Sequence, residues 1–100
     1  MTGMRRERWR PVLQMNDVRV CFFARLREVL GEREISVGLA DEPTTVAQLL
    51  EQLALDRGER WAEALGDSRL VIAINQQVSS RDSRLKAGDE LAVFPPVTGG

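Results

Sequence analysis

From Val18 to Phe23 the chain is apolar but for Arg19, with Val18, Val20 and Phe22 on one parity and Arg19, Cys21 and Phe23 on the other. A run this rich in β-branched and aromatic residues reads as a first, central strand. Ala24 to Leu30 sets Leu26, Val29 and Leu30 among charged residues and stops at Gly31, as a short helical turn does. Glu34-Ile35-Ser36-Val37 alternates polar and apolar residues and predicts a second strand, for which antiparallel pairing with the first is the expectation. The period then changes. Val46, Leu49, Leu50, Leu53 and Ala54 recur at the three-and-four spacing of one helical face. Thr45 stands at the N-cap with Gln48 three residues on, a capping-box pattern, and Gly58 is placed to end the helix in a left-handed conformation.

Glu59 to Leu65 carries a weaker helical pattern, in which Trp61 and Leu65 fall four apart and read as satellite packing. Leu70-Val71-Ile72-Ala73-Ile74 predicts a third strand and Asn75-Gln76 a turn before a short pairing segment around Val78. Leu85 reads as a core plug beneath a polar loop. After the turn at Ala87-Gly88-Asp89, Glu90-Leu91-Ala92-Val93-Phe94 is the last strand, stopped by Pro95-Pro96. Two strands, a helix, then further strands predict an α+β fold: a mixed sheet with one main helix across a face.

One hundred residues, 43% of them apolar and 29% charged, suit a single globular domain. The boundaries that follow are a flexible basic leader over 1–14, a domain over 15–94 and an extended tail over 95–100; Met15 is an alternative start. The net charge of −1 is unevenly spread, because the arginines of the first 14 residues make that stretch +3 and leave the body at −4. An acidic body argues against nucleic acid as the main ligand and suits a basic protein partner. With no histidine and one cysteine, the chain lacks the usual neutral-pH base and the means to build an imidazole or paired-thiolate metal site. No metal and no bound cofactor are expected. No apolar run approaches the roughly 18 residues of a membrane span, and nothing suggests a secreted disulfide framework, so the expected location is the cytoplasm.

The ending Phe94-Pro95-Pro96-Val97-Thr98-Gly99-Gly100 is the most informative stretch. Two prolines hold a segment extended at low entropic cost, and two glycines strip the tip of side chains. The product is a stiff stem with a bare carboxylate that a neighbouring active site can admit. Such a carboxylate is ionised at neutral pH and a poor electrophile, so acyl chemistry there needs activation by another protein, for instance through ATP. The chain has neither a GxxxxGK[ST] nor a GxGxxG run and would be the substrate of that activation. The plain alternative is a frayed end. Against it stands Phe94: if Leu91 and Val93 face the helix, Phe94 faces the uncovered side of the sheet, as a docking residue would.

Together, Val20-Cys21-Phe22-Phe23-Ala24-Arg25-Leu26-Arg27-Glu28, Thr45-Val46-Ala47-Gln48-Leu49-Leu50, Val71-Ile72-Ala73-Ile74-Asn75 and the segment from Leu85 to Gly100 resemble the small subunit of molybdopterin synthase. The resemblance spans Val18 to Gly100, and the FPPV-x-GG ending is its most specific part. It implies a ubiquitin-like β-grasp fold and a sulfur carrier. Gly100 would be adenylated and then hold the sulfur as a thiocarboxylate, Gly99 would give access, and Phe94, Pro95, Pro96, Val97 and Thr98 would bind the partner. The implied partners are the large subunit, in whose active site sulfur passes to cyclic pyranopterin monophosphate, an E1-like activating enzyme that uses ATP, and a sulfurtransferase as indirect source. A heterotetramer with two large subunits is also implied. Thr98 stands where a smaller serine or alanine is usual, and the arginine-rich leader has no counterpart in typical short members. Cys21, inside a strand, reads as a buried structural residue rather than the carrier.

Two other functions fit a Gly-Gly end: sulfur carriage for thiazole synthesis or transfer RNA thiolation, and a non-catalytic adaptor or ubiquitin-like modifier joined to lysines. The Phe94-Pro95-Pro96-Val97 stem favours the molybdopterin reading. An independent enzyme is disfavoured, since no compact acid–base or nucleophile arrangement is visible in the sequence.

Overall fold

A computed structural model describes residues 17–39 and 44–96. The elements are β1 (Asp17–Phe22), α1 (Arg25–Leu30), β2 (Glu34–Gly38), β3 (Thr44–Thr45), α2 (Val46–Arg57), α3 (Glu59–Leu65), β4 (Val71–Ile74), β5 (Gln77–Ser79), β6 (Arg84–Leu85) and β7 (Glu90–Phe94). Five strands form one mixed sheet in the order β2-β1-β7-β4-β5, and β3 pairs with β6 in a separate two-stranded ladder. β1 is an inner strand, antiparallel to β2 through Val18↔Val37 and Val20↔Ile35, and parallel to β7 through Val20↔Leu91 and Phe22↔Val93. β4 closes on the other side of β7 through Val71↔Phe94 and Ala73↔Ala92.

The alternation decides which face is closed. Val18, Val20, Phe22, Leu91 and Val93 have no exposed surface and pack with Leu49, Leu50 and Leu53 of α2 in one core. Each such side chain contributes on the order of 1.5–3 kcal/mol of burial free energy, so this face carries the stability. The capping box is formed: the Thr45 hydroxyl accepts from the Gln48 backbone N–H at 3.1 Å, and the Thr45 N–H donates to the Gln48 side chain at 3.0 Å. Leu85 is buried in the core, as expected.

Two readings need correcting. Trp61 and Leu65 are not satellites but members of the main core, with Trp61 edge-on to Phe22 at 5.4 Å and Arg57 over its other aspect at 4.7 Å. Gly58 has a positive φ of 102° but an extended ψ of −173°, so α2 does not end in a left-handed helical residue; α3 starts directly after it. The short β3–β6 ladder went unforeseen, since its two residue pairs are brought together only by the tertiary fold. The leader over 1–14 and the alternative start at Met15 lie outside the described residues.

Candidate functional site: the open sheet face and the root of the tail

The residues of opposite parity form a face that no helix covers among the described residues. Across its middle run Glu34, Cys21, Ala92, Ala73 and Val78, set by the strand registers. Small side chains at Cys21, Ala92 and Ala73 make the centre shallow, while Val78 at the edge is 82% exposed. On one side of this row Arg19 bridges Glu90 at 3.1 Å and Glu34 at 3.7 Å. On the other lie Phe94, Phe23 and the part-exposed Val71.

Phe94 occupies the open face as its parity requires. It is half-buried rather than exposed, because the Phe23 ring stacks on it with centroids 4.5 Å apart and planes within 9° of parallel. Phe23 is fixed by its backbone: its N–H donates to the Val93 carbonyl at 3.2 Å, and its carbonyl accepts from Leu26 at 3.1 Å across a tight turn. That turn holds Ala24 at φ 51°, ψ −129°, a conformation costly for a residue with a Cβ. Arg27 lies over the Phe23 ring at 6.0 Å and donates to the Phe22 carbonyl at 3.5 Å. The outcome is a rigid aromatic platform at the point where the tail leaves the sheet.

Of the tail residues singled out in the sequence, Phe94 ends β7 and Pro95 and Pro96 follow it, both half-buried. Val97, Thr98, Gly99 and Gly100 lie outside the described residues. Sequence reading gave no role to Phe23 or Val71. Parity held the signal: if Phe22 points inward, Phe23 points to the same side as Phe94.

Cys21 sits 3.6 Å from a Glu90 carboxylate oxygen and is 8% exposed. Burial pushes its thiol above the ordinary value, and the nearby carboxylates of Glu34 and Glu90 push the same way. A thiol kept protonated is a weak nucleophile, which fits the reading of Cys21 as a buried residue rather than the carrier. At the opposite end of β7, Asp89 is 5% exposed and accepts from the Lys86 backbone N–H at 2.9 Å, the Asn75 amide at 3.0 Å and the Lys86 ammonium at 3.2 Å. Burial alone would raise the Asp89 carboxyl; these three donors outweigh it and hold the group below its ordinary value.

The ThiS family model matches residues 20–100, which takes in the platform, the Asp89 turn and the tail. The chain belongs to the ThiS family. This ThiS-family chain is 47% identical over 83 residues to the molybdopterin synthase sulfur carrier subunit of Escherichia coli K12, covering 83% of this chain and 99% of that protein. It is 46% identical over 81 residues to the Haemophilus influenzae protein of the same name, covering 81% and 96%. Among solved structures it is similar to the small archaeal modifier protein SAMP1 of Haloferax volcanii, with 31% identity, a TM-score of 0.67 and coverage of 84% and 99%. It is also similar to a chain in the complex of subunits 1 and 2 of the Helicobacter pylori molybdopterin-converting factor, with 27% identity, a TM-score of 0.55 and coverage of 84% and 99%. These likenesses bear out the mixed sheet and the β-grasp arrangement. Among the described residues no helix is long and apolar enough to cross a membrane.

Proposed function

We propose that this chain is the sulfur-carrier subunit of a molybdopterin synthase, working through its terminal carboxylate. The observation that carries the reading is the FPPV-x-GG ending of a ThiS-family chain, launched from an inner strand beside a stacked aromatic pair. An activating enzyme joins the Gly100 carboxylate to AMP, with loss of pyrophosphate from ATP. The terminal sulfur of a sulfurtransferase persulfide then displaces AMP to give an acyl disulfide, and a thiol reduces that disulfide, releasing the Gly100 thiocarboxylate and leaving the oxidised thiol as a disulfide. The large subunit takes the tail, with Gly99 giving access and Pro95 to Thr98 in its channel, and passes the sulfur to cyclic pyranopterin monophosphate. Phe94, with Phe23 and Val71 beside it, docks against that partner, in an assembly of two carriers and two large subunits. The chain itself supplies the donor atom and works in the cytoplasm.

The test is the intact mass of the purified chain after incubation with the activating enzyme, ATP and a sulfur donor. A gain matching replacement of one oxygen by sulfur is expected. No gain, with the same enzyme loading another carrier, overturns the reading. Likeness to SAMP1 favours one alternative, attachment of the activated terminus to amines; peptides bearing an isopeptide to Gly100 in digests of cell extract would mark it.

A further inference from the structure

A groove of about 480 Å³ lies on the helix side of the tail root, opposite the aromatic platform. Leu26 and Leu70 form its buried floor, Val29 of α1 is exposed on its rim, and Pro95 and Pro96 make one wall. Its two cations differ. Arg69 is held by Asp67 through two hydrogen bonds of 3.0 Å, which keep the Asp67 carboxyl below its ordinary value and leave the pair neutral. Arg25 is exposed, and its side chain makes no ion pair or hydrogen bond among the described residues.

We infer that this groove is a second docking surface for the large subunit, taking an aliphatic or aromatic side chain of that partner on its floor and a partner carboxylate on Arg25. The inference rests on the carrier reading above and adds a surface to it. Three features support this occupant. The proline wall is the start of the tail, so a protein that encloses the tail passes over the groove. Proline has no backbone N–H, so a partner cannot grip Pro95 and Pro96 as an added strand does and must hold the flanks by side-chain contact. The unpaired guanidinium beside an already neutralised pair selects a carboxylate, and an Arg–carboxylate pair in a partly desolvated cleft fixes register.

The test is the affinity of the full-length chain for purified molybdopterin synthase large subunit, measured calorimetrically at low and at physiological salt. Arg25→Glu and Val29→Asp change exposed positions and are each expected to weaken binding about tenfold or more, with unchanged melting temperature. Arg60→Glu, the same charge change on α3 outside the groove, is expected to bind within about twofold of the wild type. Wild-type affinity in both groove variants overturns the inference, as does an equal loss in Arg60→Glu, which would mean general charge attraction. Normal binding by Arg25→Glu with lost adenylation would give the groove to the activating enzyme and overturn the assignment. A wild-type chain that fails to bind the large subunit would instead sink the carrier reading itself.

Discussion

At its first residue β7 is tied down by polar atoms. Asn75 accepts from the Glu90 N–H at 3.0 Å, the Asn75 N–H donates to the Glu90 carbonyl at 2.8 Å, and the buried Asp89 just before is held by three donors. At its last residue the strand is held by a ring: Phe94 stacks on Phe23, and the two residues that follow have no amide hydrogens to give. Polar networks are directional and saturable, so the first end is a closed unit with its donors and acceptors used up. An aromatic stack leaves edges and rims uncovered, so the second end holds its shape while keeping surface to offer. One strand thus has an anchored end and a presenting end. What separates them is the kind of contact, not its amount.

The sharpest way to break this contrast is to remove Gly100. Sulfur loading, read by intact mass, is expected to vanish, while the urea unfolding midpoint stays where it was, because a terminal residue supplies the reacting atom and little packing. Loading that survives the deletion would strip the presenting end of its meaning. Next in size, Phe94→Ala is expected to lower affinity for the large subunit by about 2 kcal/mol, as loss of an aromatic anchor does. It should cost the fold less than that, since the ring lies off the core. A large fall in melting temperature with unchanged affinity would reassign Phe94 to structure.

Asp89→Asn tests the anchored end. Disturbing a buried, charge-assisted set of bonds is expected to cost about 1–3 kcal/mol in urea unfolding while the thiocarboxylate still forms. The pH dependence has a definite sign. A carboxyl whose folded value is depressed contributes its full stability above the ordinary value of 3.8 and loses it as pH falls through the folded value. The wild type should therefore destabilise as pH drops below about 4, and Asp89→Asn should show a shallower decline. Smallest is Thr45→Ala, which removes the cap of α2 at a cost of about 1 kcal/mol with no effect on loading or binding, since α2 lies at neither end of the contrast.

Much of the architecture was legible because the apolar parity is clean: β1, β7 and α2 each declare one buried face, and Thr45 with Gln48 marks a boundary by a local bond. The tail was legible because its composition is chemically odd. Phe23 was missed because Val20 to Phe23 is an unbroken apolar run, in which the eye follows hydrophobicity rather than parity. Trp61 was underrated because α3 is short, and its burial depends on Phe22, far away in sequence. The groove could not be read from sequence at all, since Arg25, Arg69 and Pro95 meet only once the strands have paired.

The parallel pairing of β1 with β7 has a consequence for synthesis. Partners such as Val20 and Leu91 are about seventy residues apart, and β7 lies between β1 and β4 rather than at an edge. A nascent chain that stops before Glu90 holds two half-sheets with a gap between them and an uncovered core. The sheet closes only when the segment leading into the tail has left the ribosome. A chain that ends before Glu90 is therefore expected to stay unfolded, whereas one that ends just after Phe94 has every strand of the sheet and lacks only the tail.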